Sequence, residues 1–182
     1  MALPKIYMDH FGIHVTDLDN MSDFYMRVLG FVQTDGGTAS TGMGIRFFTR
    51  SVNSHHQFVL ASGRPEGSFN MVNQISLRLE TLDDLRAYDE IIKNEPQATS
   101  QLYIDHGIAW SVYFDDPEGN WVELTVNSPF FSPQPFRDDL DLSMSDEEIV
   151  ALTEQRCRAK PDFSTREEWQ AQLQKKIDAT NA

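Results

Sequence analysis

Apolar and polar positions alternate through KIYMDHFGIHV (5–15) as a strand requires, with His10, Gly12 and His14 on one face. The period then changes in DLDNMSDFYMRVLG, where Met21, Phe24, Tyr25, Val28 and Leu29 recur at helical spacing and Gly30 supplies a stop. Strand-like pieces follow near 31–34, 44–49 and 55–61, set apart by Gly, Ser and Asn. MVNQISLRLE (71–80) is strand-like again, and TLDDLRAYDEIIKN is helical through Leu82, Leu85, Tyr88, Ile91 and Ile92. Strand-like pieces near 98–104, 108–115 and 120–126 complete the series. The order β-α-β-β-β therefore occurs twice. This duplication predicts an α+β fold in which two paired βαβββ modules, 5–62 and 70–127, make one cupped mixed sheet within a domain spanning 1–127, with a site between the modules.

After Val126 the pattern breaks. NSPFFSPQPFRDDLDL is rich in proline and predicts an extended strap over 128–144. SDEEIVALTEQRCRA opens with a capping box from Ser145 and Glu148 ahead of Ile149 and Leu152, and STREEWQAQLQKKI repeats the device ahead of Trp169, Leu173 and Ile177. Residues 145–182 are thus expected to form a C-terminal helical extension that docks on the body or on a second subunit, which makes a homodimer the expected assembly.

Composition narrows the function classes. The 182 residues are 40% hydrophobic, enough for a packed core, and carry a net charge of −13. Such a surface repels nucleic acid and anionic membranes, so neither is an expected partner. The single cysteine, Cys157, excludes an internal disulfide and a cysteine-based metal site, as befits a reducing compartment. MALPKIYMDH has no apolar signal core and no run of about 18 apolar residues occurs, so a cytoplasmic location is expected. The five histidines, His10, His14, His55, His56 and His106, place the chemistry in residues 1–127.

The segment DDPEGNWVEL raises the sharpest question. In the strand it predicts, Val122, Leu124 and Val126 share a core-like face, whereas Glu123 lies with Trp121 and Thr125 on the other. An unpaired buried carboxylate costs several kcal/mol, so Glu123 must face water or have a partner such as a cation. Aligning the modules at their strand-to-helix junctions, HVTDLDNMSDFY with RLETLDDLRAY, sets His10 against Gln74. His14 is two pleats from His10, about 13 Å at strand rise, and is expected to line a substrate pocket rather than share a metal. His55 and His56 are adjacent in a predicted strand, so only one enters a site, His56 being favoured. DPEG predicts a turn with Asp115 and Asp116 as turn formers. Trp110, Tyr113 and Trp121 suit a planar apolar substrate, although core packing accounts for them too.

MDHFGIHVTDLDNMSDFYMRVLGF and YFDDPEGNWVEL resemble the opening strand and helix and the closing hairpin of the vicinal oxygen chelate superfamily. That superfamily includes glyoxalase I, fosfomycin and bleomycin resistance proteins, methylmalonyl-CoA epimerase and the type I extradiol ring-cleaving dioxygenases. NSHHQFVL followed by HGIAWSVYFDDPEGNWVEL resembles the extradiol dioxygenases most. The resemblance implies a mononuclear divalent metal on His10, Gln74 and Glu123, His56 as acid–base residue, Tyr113 as a hydrogen-bonding group beside the substrate, and His106 lining the same pocket. It implies a catechol-like aromatic or vicinal-oxygen small molecule as substrate. Fe(II) is favoured, with Mn, Co, Ni or Zn also compatible with these ligands.

Gln74 departs from the dioxygenase pattern, which has a histidine there, and an amide oxygen is a weaker donor than imidazole. Glyoxalase I and the epimerase use a glutamine ligand, which favours the alternative of a lyase or isomerase acting through an enolate. Those enzymes draw a fourth ligand from the first module's last strand, where this chain offers Val59 or Leu60. A metal-free small-molecule binding protein is the third expectation.

Overall fold

The computed structural model describes residue 4 and residues 6–180. The first module comprises β1 (Phe11–Val15), α1 (Leu18–Arg27), β2 (Val32–Thr38), β3 (Gly44–Thr49) and β4 (Phe58–Ser62). The second repeats that order in β5 (Ile75–Leu79), α2 (Leu82–Lys93), β6 (Thr99–Asp105), β7 (Ala109–Asp115) and β8 (Trp121–Asn127). Both helices start where the sequence provides an acceptor for orphan N–H groups: the Asp17 side chain accepts from Asn20 N, and Thr81 and Asp84 form a reciprocal capping box.

The expected single sheet is two sheets. Strands run β1-β4-β3-β2 in one and β10-β6-β7-β8-β5 in the other, where β10 is Asp138–Asp139 of the strap. β1 and β5 end their sheets without hydrogen-bonding to each other. Within each module the first strand lies parallel to the last, so Gly12 stands opposite Val59 and Ser76 opposite Glu123. One apolar core joins the modules, with Phe24, Tyr25 and Phe58 from the first packed with Val112, Phe114 and Leu124 from the second.

The DPEG turn does more than reverse the chain. The Glu118 carboxylate accepts from the backbone N–H groups of Thr16 and Asp17 at 2.8–3.0 Å and lies 3.5 Å from Arg64, which ties the second module to the start of α1. Asp116 is buried and accepts from Tyr25 OH, the backbone N–H groups of Glu118 and Asn120, and the Asn120 amide.

The tail adds β9 (Phe130–Phe131), α3 (Asp146–Arg158), β11 (Ser164–Thr165) and α4 (Arg166–Thr180). The strap is held at both ends, β10 pairing with β6 and β9 with β11. The Ser145–Glu148 capping box forms as expected, and Thr165 with Glu168 makes the equivalent exchange at α4. α3 covers the back of the second sheet: Trp110 donates to Thr153, and Thr153 and Arg156 donate to the buried Asp105. α4 touches the body through Trp169, stacked on Phe131, while Leu173 and Ile177 remain partly exposed. Among the described residues no helix is long and apolar enough to cross a membrane.

Two predictions follow from these buried groups. Burial holds the Asp116 carboxyl above its ordinary range, so ionising it costs stability, and its four donors limit that cost. Tyr25→Phe removes one donor and should cost about 1–2 kcal/mol in urea denaturation at pH 8. The penalty should shrink as pH falls and Asp116 takes up a proton; a penalty unchanged down to the acid end of the folded range contradicts this assignment. Burial, with Asp105 and Asp138 nearby, pushes the Cys157 thiol up to about 11. Cys157 should therefore resist a thiol-labelling reagent at pH 8 and react once denaturant is added.

Candidate active site around Glu123

Register determines the composition of this site. Tyr113 on β7 and Ser76 on β5 are the partners of Glu123 on β8, and Ser111 is the partner of Thr125, so these side chains share one face. Glu123 is 6% exposed. Its Oε1 accepts from Ser111 Oγ and Tyr113 OH, both at 2.7 Å, and its Oε2 accepts from Gln74 Nε2 at 2.8 Å. Three donors thus offset the desolvation of the carboxylate.

The network continues outward. Tyr113 OH lies 2.9 Å from His106 Nε2, and His106 Nδ1 lies 3.0 Å from the Phe136 carbonyl of the strap. The imidazole thus links the Tyr113 hydroxyl, which donates to Glu123, to the backbone of the strap. Burial, then the bond to Glu123 and its charge, raise the Tyr113 phenol well above its ordinary range, which keeps it a donor. Trp121 stacks on Tyr113 with ring centres 4.4 Å apart.

His10 and Gln74 occupy equivalent places, each immediately before the first strand of its module and equally far ahead of the helix caps Asp17 and Thr81. Their surroundings differ. Gln74 joins Glu123, whereas His10 is exposed, with Nδ1 2.7 Å from Asp9 and its ring centre 4.2 Å from that of His56. His55 and His56 lie in the turn ahead of β4, not in a strand, so the expected alternation does not hold: their Nδ1 atoms are 2.9 Å apart, and both rings lie against Phe47. Partial desolvation, with His10 and His55 alongside, holds the His56 imidazole below its ordinary range.

Two expected pocket residues stand elsewhere. Trp110 is buried on the opposite face of β7 from Glu123, because it pairs with Val126 in the core register and its indole N–H is taken by Thr153. His14 Nδ1 lies 3.2 Å from the Ser62 carbonyl, away from the Glu123 network. The structure thus brings together Gln74, Glu123, Tyr113 and His106, and separately His10 and His56. Ser111 and Asp9 were not anticipated. Ser111 had a signal, being the polar residue that shares strand parity with Tyr113 in WSVYF.

Among the described residues no three His, Cys, Asp or Glu side chains converge to hold a metal, so a centre here must draw on the Gln74 amide. The donor chemistry suits a divalent cation. Turning that amide over would set its oxygen beside Glu123 Oε2, and Asp9 engages His10 Nδ1 in the way that orients a metal-binding imidazole, leaving Nε2 open. Val59 stands where module one would supply the equivalent of Glu123, so no fourth ligand comes from that strand.

The sequence model of the Glyoxalase/Bleomycin resistance protein/Dioxygenase superfamily matches residues 7–124. The chain belongs to this superfamily. A curated relative, biphenyl-2,3-diol 1,2-dioxygenase 2 of Rhodococcus globerulus, is 29% identical over 133 residues, which cover 70% of this chain and 65% of that protein. The chain therefore spans just under two thirds of the relative's length. Among solved structures, a glyoxylase/bleomycin resistance protein/dioxygenase domain from Frankia sp. EAN1pec superposes with a TM-score of 0.57 at 17% identity, covering 69% of this chain and 93% of that one. The Listeria monocytogenes fosfomycin resistance protein FosX, in a variant complexed with Mn(II) and 1S,2S-dihydroxypropylphosphonic acid, superposes with a TM-score of 0.52 at 18% identity, covering 65% and 90%. At these identities the structural likeness concerns the superfamily fold.

Tyr113→Phe tests the network directly. Loss of the hydroxyl deprives Glu123 of a donor and disconnects His106, and should cost about 1–3 kcal/mol of unfolding free energy, measured in urea. An unchanged midpoint and slope would show that the bond contributes nothing.

Proposed function

We propose that this chain is a metal-dependent enzyme performing extradiol-type ring cleavage of a catechol-like aromatic. The observation that carries the proposal is the hydrogen-bonded series Glu123–Tyr113–His106 with Gln74 on the same carboxylate. The dioxygenase relative supports it at the level of reaction class. His10, Gln74 and Glu123 would hold the metal, Fe(II) in this proposal, which would supply Lewis-acid and redox chemistry toward a deprotonated diol and dioxygen. In the reaction the ring carbon–carbon bond beside the diol breaks and both oxygen atoms enter the product, so no external reductant is consumed.

The chain's own groups have defined parts. Tyr113 holds a proton at the edge of the carboxylate, with His106 against its hydroxyl, where charge on an oxygen of the substrate can be met by a donor. His56, kept below the ordinary imidazole range, retains an acceptor nitrogen at neutral pH and is placed against His10 to take and return a proton. The indole of Trp121 offers a flat wall beside Tyr113.

A second reading, enolate chemistry of the lyase or isomerase type, is favoured by the amide at position 74. Dioxygen uptake separates the two. Protein reconstituted with Fe(II) without oxygen and then given 2,3-dihydroxybiphenyl or catechol should consume one dioxygen per diol. Glu123→Ala should lose turnover, and Tyr113→Phe should lower it by about 10–100-fold. Metal-dependent product without oxygen consumption would overturn the oxygenase proposal in favour of enolate chemistry.

A further inference from the structure

We propose that the groove between the free edges of β1 and β5 is a second binding site, distinct from the Glu123 network, for a carboxylate carried on an apolar body. The groove encloses about 600 Å3, within the range of small-molecule sites. Its walls are apolar side chains from both modules, among them Phe11, Phe31, Phe58 and Leu77. Arg50 and Arg78 also line it, and His10 does, whereas Gln74, Glu123, Tyr113 and His106 do not. The groove therefore adjoins the candidate metal centre through His10 and its partner Asp9, and through Ser76, the β5 partner of Glu123.

Charge gives the ligand class. With 28 acidic and 15 basic residues, this chain is acidic overall, so an anion is attracted only where cations gather. Arg27, Arg46, Arg64, Arg86, Arg156 and Arg158 each lie within 4.0 Å of a carboxylate; among the described residues Arg50, Arg78, Arg137 and Arg166 do not, and of these Arg50 and Arg78 line the groove. Two guanidinium groups without an ion pair meet in this one apolar groove, beside a single carboxylate, Asp9, and they mark where an anion is attracted instead of repelled. Arg50 is also pre-positioned. Its Nη1 donates to the Gly30 carbonyl at 2.7 Å, and a Cβ at Gly30, whose φ is +68°, would collide with that nitrogen. One end of the guanidinium is thus fixed while its remaining N–H groups stay available. Arg78 points to the same face as Ser76 at the edge of β5. The aromatic and aliphatic walls exclude a small hydrophilic anion as the best fit and favour a fatty or aryl carboxylate, whose body covers them while its head meets an arginine.

This site goes beyond the proposed catalysis and is tested without metal. Isothermal titration of the full chain with decanoate and with biphenyl-4-carboxylate should show saturable binding of one ligand per chain for at least one of them, and decanol should not bind at the same concentrations. Arg50→Gln and Arg78→Gln should each weaken binding about tenfold. Glu123→Ala should change it by less than about twofold, because separate sites act independently. Arg78 is exposed and makes no ion pair, so its replacement leaves the fold intact and keeps the test decisive. Absence of saturable binding, equal binding of decanol, or undiminished affinity in both arginine variants would overturn the proposal. None of these outcomes bears on whether Glu123 holds a metal.

Discussion

A carboxylate buried at the centre of an apolar strand is the constraint around which the second module is organised. Glu123 is tolerated on β8 because Ser111, Tyr113 and Gln74 all donate to it. Each donor requires a structural condition: Ser111 and Tyr113 require the β7–β8 register, and Gln74 requires β5 to lie along β8. A one-residue slip would put Val122 or Leu124 in the place of Glu123 and leave the carboxylate in the core. His106 extends the same network to the strap, so the irregular segment after β8 is bound to the chemistry of the sheet and not merely laid over it.

The two faces of β7 divide the labour. On one, Tyr113 and Ser111 serve the carboxylate; on the other, Trp110 binds Thr153, and Thr153 binds Asp105, which anchors α3. The tail therefore stabilises the strand that positions the candidate site without entering it. At the junction of the modules the DPEG turn plays a similar part, with Asp116 receiving Tyr25 and Glu118 receiving the start of α1. The relative placement of the modules rests on these buried polar contacts and on the shared core, since the sheets themselves are not joined.

Much of this was legible because it depends on local signals. The duplicated module order, the helix caps and the equivalence of His10 with Gln74 all follow from short patterns that the chain repeats, and Glu123 stood out as a charge among β-branched and aliphatic neighbours. The expectations that the structure overturns depend on longer range. The strand expected over 55–61 starts only at Phe58, and in the turn ahead of it the adjacent rings of His55 and His56 can meet. Trp110 is not found beside the candidate site: strand parity does not say which face is covered, and the cover comes from α3, more than thirty residues on. The Tyr113–Glu123 partnership could not be derived across the intervening turn, since its length sets the register.

The most direct test of the central claim, that Gln74 and Glu123 act as one cation-holding pair, is a calorimetric Mn(II) titration of the full chain and of Gln74→Leu, Glu123→Ala and the double variant. If the pair works as a unit, each single change weakens Mn(II) by at least about tenfold and the double variant is no weaker than the worse single one. Mn(II) affinity that survives both changes would contradict the account and place any metal site elsewhere.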